Sequence, residues 1–414
     1  MMLLEIFLFS LSGIVIGVIL GLLPGLHINN ILPLFILLSF FITDPYNLIT
    51  LIVSTAIAQV FTSFLPAVFL GSPDPDQSLS VLPGHRLLLE GRGYEAIRLT
   101  VIGGFGALII SIIVVLFFGN YFTFLYNIIR PYIAYPLIAV IFFMILSERQ
   151  FKKMLFASLI VILSGFLGML VLNSSIVPQQ NALFPTFAGL FAISTLITSI
   201  TEKAKIPKQQ TDTKLKTSRW GISKSIVLGV IAGVLVGLLP AVGVSQAATF
   251  MQYIGGLGEA RTFLVTLSGI NTANEVISLN SLYLVDNPRS GASAAIERIL
   301  PEISFYDMLL LLGVILFTSG IAIPLTLHLG KTIPRFLVKV DYTLLSLIVI
   351  TFLVVMIGLL TGIYGLLIGL TATGIGLLCT YLGAKRSNCM GVLLVPSVIF
   401  FFGLNPILIH LLGL

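Results

Sequence analysis

Along most of the chain, polar side chains are confined to short intervals between long apolar runs. The runs do not alternate apolar with polar and are too long for barrel strands, so they predict helices. The first half predicts a broken segment over 4–43, then spans near 47–70, 93–119, 122–146, 151–172 and 183–200. A polar stretch, TEKAKIPKQQTDTKLKTSRW, fills 201–220. The second half predicts a broken segment over 222–256, then spans near 260–284, 303–327, 342–360, 363–383 and 388–404. The expected organisation is a first repeat over 1–200, a linker over 201–220 and a second repeat over 221–414, each repeat holding a broken or re-entrant hairpin plus five spans.

The two breaks resemble one another. GLLPGLHINN at 21–30 and GLLPAVGVSQ at 237–246 interrupt apolar runs with the same Leu-Leu-Pro, and Pro24 and Pro240 stand 216 residues apart. Ser72-Pro73 and Asn287-Pro288 match at an offset of 215, each just past the span that follows its broken segment. Proline removes a backbone donor and glycine frees the backbone, so each long helix is expected to stop there. Asn29 and Asn30 in the first half, and Ser245 beside Gln246 in the second, are the expected caps of new half-helices.

Composition fixes the medium. Hydrophobic residues make up 57% of the chain and charged residues 9%, with a mean hydropathy of +1.11. A soluble domain carries roughly a quarter charged residues, so this is an all-α polytopic membrane protein. The net charge of +6 is no nucleic-acid footprint, because Lys and Arg gather in a few loops. Lys203, Lys205, Lys208, Lys214, Lys216 and Arg219 place the linker on the cytoplasmic side of a cell membrane. Arg86, Arg92, Arg149, Lys152, Lys153, Lys331, Arg335, Lys339, Lys385 and Arg386 then also fall inside, with Arg130, Arg289 and Arg298 as exceptions. Both termini are expected outside. Five spans per half is odd, so the second half is inverted relative to the first, an architecture of many secondary transporters. Glu5 stands where a signal peptide would carry a basic region. Cys379 and Cys389 flank a short basic turn, where neither metal-ligand spacing nor a structural disulfide is expected.

Candidate chemistry centres on the breaks. A fresh helix N-terminus offers free N–H donors and about half a positive charge. Two such ends meeting from opposite sides would suit a small anion with no buried Lys or Arg. The candidate substrate-binding residues are Pro24, Gly25, His27, Asn29, Asn30, Pro240, Gly243, Ser245 and Gln246. Plain kinks in long helices are the competing reading. SGINTANEVIS at 268–278 places Asn271, Asn274 and Glu275 within one span, with Asn271 and Glu275 four apart on one face. An intramembrane carboxylate usually faces a cavity, a cation or a proton path; pairing with Arg261 is the alternative. Gln59, Thr62 and Ser63 occupy the counterpart in the first half. Gln59, Ser63, Asn271, Asn274 and Glu275, with Ser72, Asp74 and Asp76 of GSPDPDQS, are therefore candidates for a coupling ion or a gate; a plain turn serves equally for the last three. Sodium or a proton is the expected coupling ion, with no resident cofactor or metal. His27, His85, His328 and His410 form no ligand cluster by spacing; His27 is placed to handle a proton, and His85 is expected in a solvated amphipathic helix.

The motifs GLLPGLHINN, GSPDPDQSLSVLPGHRLLLEGRGYEA, NALFPTFAGLF, GLLPAVGVSQAAT and NTANEVIS resemble those of the TctA-like permease subunit of tripartite tricarboxylate transporters, specifically its divergent archaeal members. The resemblance spans both halves. It implies a secondary permease for di- or tricarboxylates, partnered by an extracytoplasmic solute-binding protein and a small membrane subunit, within membrane lipid and with room for an oligomer. His27 departs from the glycine usual in bacterial members, and the 71–78 loop is more acidic than theirs. A flippase for a polyprenyl-phosphate lipid carrier is the alternative, since a phosphate also suits helix N-termini. An enzyme is not expected, because neither a zincin histidine pair nor a GxSxG elbow is present. A channel is disfavoured by broken helices in inverted repeats.

Overall fold

A computed structural model describes residues 2–23, 28, 35, 38–71, 81–132, 134–148, 150–174, 176–177, 182–201, 207–211, 215–238, 243–254, 259–285, 288–337 and 342–405. Among these every regular element is a helix, and seven helices are long and apolar enough to cross a membrane. In the first half α1 spans Met2–Leu22, α2 Pro45–Thr62, α3 Phe64–Phe69, α4 Val81–Leu89 and α5 Gly93–Phe118. They are followed by α6 Phe122–Ile129, α7 Ala134–Leu146, α8 Phe151–Asn173, α9 Leu183–Phe187 and α10 Ser194–Thr201, the last two joined by a π-helical turn, Ala188–Ile193. In the second half α11 spans Arg219–Leu238, α12 Val244–Ile254, α13 Ala260–Leu279, α14 Ser281–Val285 and α15 Gly291–Ile299. Then come α16 Phe305–Leu337, α17 Tyr342–Tyr381 and α18 Gly391–Phe401.

Local sequence explains the starts. Asp44 accepts the Tyr46 N–H at 2.9 Å, with Pro45 in the first turn of α2. Ser290 and Ser293 form a reciprocal capping box on α15. Three boundaries differ from the sequence expectation. The span near 122–146 is interrupted by a 3₁₀ turn at Arg130–Tyr132, where Pro131 withholds an N–H. The helix expected to end at 327 runs on to Leu337 through Pro324 and Pro334. The spans near 342–360 and 363–383 run together as α17, broken only at Gly362, whose φ of 66° suits glycine. Its 40 residues amount to about 60 Å of helix, enough for two crossings of a roughly 30 Å hydrocarbon core.

The packing order recurs. α1 lies along α2, and α11 lies along α13, as the two most extensive helix pairs. Each depends on a glycine ladder: Gly13, Gly17 and Gly21 abut Leu51, Thr55 and Thr62, while Gly229, Gly233 and Gly237 abut Thr266, Ile270 and Ile277. Both ladders and both sets of partners are related by a shift of 215 or 216 positions. Small residues let helix backbones approach closely where no hydrophobic effect drives them together.

The third long helix of each half crosses to the other half. α5 packs on α13, where Ser268 Oγ donates to the Thr100 carbonyl at 2.6 Å. α16 packs on α2, where Thr318 Oγ1 donates to Ser54 Oγ at 3.0 Å. α2 and α13 end up enclosed. The apolar window of α2 is wholly buried, and α13 is too polar to count among the seven candidate spans although nearly all of it is buried. Around α8, α9, α17 and α18 a second set of contacts forms the rest of the core.

Candidate functional site

Because α2 and α13 are enclosed, their polar residues meet each other and not lipid. Gln59 and Ser63, one turn apart at the end of α2, and Asn271 and Glu275, one turn apart on α13, line one small cavity with Ile28, Ala56 and Val60. Its volume of about 10 Å³ is room for roughly one water molecule. Gln59 is 2% exposed and Glu275 7% exposed. Ile28, from the first broken segment, donates its backbone N–H to Gln59 Oε1 at 2.8 Å. The cavity thus joins both halves and one break through four oxygen-bearing side chains. Among the described residues no three His, Cys, Asp or Glu side chains gather as a metal centre.

The other expected residues fall as follows. Asn274 is half-buried, accepts the Ser278 hydroxyl at 3.3 Å and does not line the cavity. Ser245 is buried but is not the cap of α12, because the helix already begins at Val244 and the Gly243 carbonyl accepts the Ala247 N–H. Gly243, with no side chain, stands at the end of the second break. Gln246 lies in the first turn of α12. Pro24, Gly25, His27, Asn29, Asn30, Ser72, Asp74, Asp76 and Pro240 lie outside the described residues.

Arg261 does not serve Glu275. Its Nε donates to Glu95 Oε1 at 3.1 Å and its Nη2 reaches Glu90 at 3.5 Å. Glu95, 0% exposed, also accepts from Arg92 and from the Lys216 backbone N–H at 3.0 Å. A buried carboxylate is tolerable when it is paired and hydrogen-bonded on several sides, as here. Gln209 continues the connection, accepting the Gly93 N–H at 2.8 Å and donating to the Leu88 carbonyl at 2.9 Å. The basic linker is therefore strapped across the start of α5 and tied to the start of α13.

His85 is buried, at 8% exposed, and not solvated as its amphipathic helix suggested. Burial pushes its imidazole below the ordinary value, and a backbone hydrogen bond at Val68 pulls it part of the way back. Cys379 and Cys389 are both free and buried. Arg386 is buried beside them, its guanidinium donating to Ser194 Oγ at 2.9 Å, Thr195 Oγ1 at 2.6 Å and Thr380 Oγ1 at 2.8 Å.

Sequence reasoning missed three things here. The glycine ladders were visible as GxxxGxxxG ahead of each break, at the same spacing as the two prolines. The Glu95 cluster joins residues 166 positions apart, and no local pattern announces it. The Ile28 contact with Gln59 joins positions 31 apart, and no local pattern names that pair.

The model of the tripartite tricarboxylate transporter TctA family matches residues 7–391. An uncharacterized protein of the archaeon Methanocaldococcus jannaschii is 34% identical over 411 residues, covering 95% of this chain and 98% of its own length. No solved structure matches.

Proposed function

Because the chain belongs to the tripartite tricarboxylate transporter TctA family, we propose that it is a secondary permease for small organic anions, di- and tricarboxylates foremost, coupled to sodium or protons. It is a multi-pass membrane protein, and the family implies association with a solute-binding protein and a small membrane subunit. The family favours this reading over the lipid carrier. The observation that carries the coupling part is the cavity. It draws Gln59 and Ser63 from one half and Asn271 and Glu275 from the other, against a residue of the first break.

In this reading two halves of inverted topology, 1–200 and 221–414, rock against each other, with linker 201–220 cytoplasmic and both termini outside. The substrate carboxylates bind between the two breaks, at Pro24–Asn30 and Pro240–Gln246. Either helix end alone contributes only about 0.3–2 kcal/mol. Two ends together with their polar side chains reach the roughly 4–8 kcal/mol of millimolar to micromolar binding. The repeated ladders and crossed-over helices are what two related halves would leave. Ser72, Asp74 and Asp76 are assigned to the cytoplasmic gate of the same path.

The test is a thermal-stability screen of purified protein against di- and tricarboxylates, short inorganic anions and isoprenyl phosphates, followed by uptake into liposomes. A carboxylate should stabilise the protein and be taken up down an imposed ion gradient. Gly25→Val and Gly243→Val should each abolish that stabilisation while the protein still inserts. Stabilisation by isoprenyl phosphates alone, or retained carboxylate binding in both variants, refutes the reading.

A further inference from the structure

The two faces of α11 divide cleanly. Ser225, Gly229, Ala232 and Val236 are buried at three- and four-residue spacing, with Gly229 against Thr266 and Gly269 of α13. Trp220, Lys224, Val227 and Ile231 keep the same spacing on the opposite side and are exposed, Trp220 at 78%. In a helix long and apolar enough to cross a membrane, that outer stripe faces lipid. Lys224 stands on it five residues past Arg219, about 7.5 Å along the axis. From that depth a lysine lays its stem along apolar surface and carries its ammonium out to the headgroups. A tryptophan one turn earlier belongs to the same interfacial zone. We infer that the head of α11, with the strap before it, binds the headgroup of an anionic phospholipid. Its phosphate lies between Lys224 and Arg219, and its glycerol and upper acyl chain lie against Trp220. The site stands independently of the carrier reading above.

Charge and position select the ligand. Lys208, Lys216, Arg219 and Lys224 are exposed, and among the described residues none makes a side-chain hydrogen bond or ion pair. Glu90 and Glu95 at this end are engaged by Arg86, Arg92 and Arg261, which leaves exposed Glu259, among the described carboxylates at the heads of α5, α11 and α13, against four cations. The strap presents its cations on a fixed backbone. The Gln210 N–H donates to the Gly91 carbonyl at 2.8 Å, and the Lys216 N–H donates to Glu95 Oε1 at 3.0 Å. Exposure alternates along it: Gln209, Leu215 and Thr217 are half-buried, while Lys208, Lys216 and Ser218 are exposed. A topology signal needs only positive charge somewhere in the loop. It requires neither a pinned backbone nor a lysine on the lipid-facing stripe of a span. That lysine also decides the source of the phosphate. Lys224 shares its stripe with Val227 and Ile231, where acyl chains lie and aqueous solutes do not. Basic residues beside a span attract anionic lipid by about fivefold per cation.

Trp220 is the single tryptophan of the chain, so its fluorescence reports this place alone. The test reconstitutes full-length protein in phosphatidylcholine vesicles holding a minor share of phosphatidylglycerol, with the acyl chains of one lipid or the other brominated. Bromine quenches indole on contact. Molecule for molecule, brominated phosphatidylglycerol should quench Trp220 on the order of tenfold more than brominated phosphatidylcholine at low salt. The preference should shrink at about 1 M salt, where screening acts within roughly 3 Å. It should fall severalfold in Lys224→Gln and in Arg219→Gln, vanish in the double variant, and persist in Lys224→Arg, which keeps the charge. Lys152→Gln, removing an exposed cation from the head of α8, should leave it unchanged. Equal quenching by the two lipids, or a preference that survives the double variant, overturns the site. An equal loss in Lys152→Gln overturns it in favour of diffuse surface charge. Loss of the preference on adding soluble glycerol phosphate at matched concentration makes the ligand a free phosphate and overturns the lipid assignment.

Discussion

Adding a single methyl group to a glycine ladder should cost more stability than any comparable change on the same helices. A Cβ on Gly233 would sit 2.6 Å from the Ile270 carbonyl oxygen and 2.5 Å from Ala273 Cβ. One on Gly13 would sit 2.6 Å from the Leu51 carbonyl oxygen and 2.7 Å from Ser54 Cβ. The obstacles are backbone and Cβ atoms of a buried helix, so no rotamer change relieves them, and one helix must move away from the other. Overpacking of this kind costs about 1–3 kcal/mol. Gly313, on α16, has nothing within 4 Å of its would-be Cβ, so alanine there keeps only the helix-propensity gain of roughly 0.5–1 kcal/mol. Gly233→Ala shares that propensity gain, so Gly233→Ala and Gly313→Ala should differ by the overpacking cost alone, about 1–3 kcal/mol in reversible unfolding in detergent. Gly13→Ala should behave like Gly233→Ala. The two ladders occupy separate helix pairs, so their costs should add to within roughly 0.5 kcal/mol. Equal stability of Gly13→Ala, Gly233→Ala and Gly313→Ala would refute the close packing from which the repeated architecture is argued.

Two further outcomes follow from the charged and titratable groups. Glu95→Ala deprives buried Arg92 and half-buried Arg261 of their shared carboxylate and should cost about 3 kcal/mol or more. It should also speed limited proteolysis within 207–218, because the Lys216 N–H loses its acceptor; unchanged cleavage would mean the linker is held elsewhere. His85 has a folded pKa below its ordinary 6.5, so the unfolded chain binds the extra proton. Stability should accordingly hold above that value and fall as pH drops from 6.5 toward the folded pKa, with the slope missing in His85→Gln. A wild-type profile flat across that window refutes the buried neutral imidazole.

Spans were legible where lipid demands continuous apolar sequence, as in 93–119 against the observed Gly93–Phe118 and 151–172 against Phe151–Asn173. Legibility fails where two demands cancel. Arg130–Pro131 breaks a helix that its apolar flanks argue for, and α16 persists through Pro324 and Pro334 because packing on α2 and α5 holds it. The site was half visible. Four-residue spacing puts Asn271 and Glu275 on one face, as it does Gln59 and Ser63, but periodicity names a face and not the helix opposite. Arg261 shows the limit: a cation near Glu275 in sequence chose Glu95, 166 residues away, because that carboxylate lies at the same end of the helices.

The crossed-over helices set a schedule for biosynthesis. α2 leaves the ribosome carrying Asn47, Thr50, Ser54, Thr55 and Gln59, side chains that hydrocarbon does not accept readily. Part of its cover is α16, and the Thr318 hydroxyl that meets Ser54 is made 264 residues later. At roughly 5–20 residues per second that is a wait of about 13–50 seconds. A nascent first half must therefore be chaperoned at the insertion machinery, or held at the membrane edge, until the second half arrives. Severing the gene at the linker would leave each product without the helix that closes its polar core.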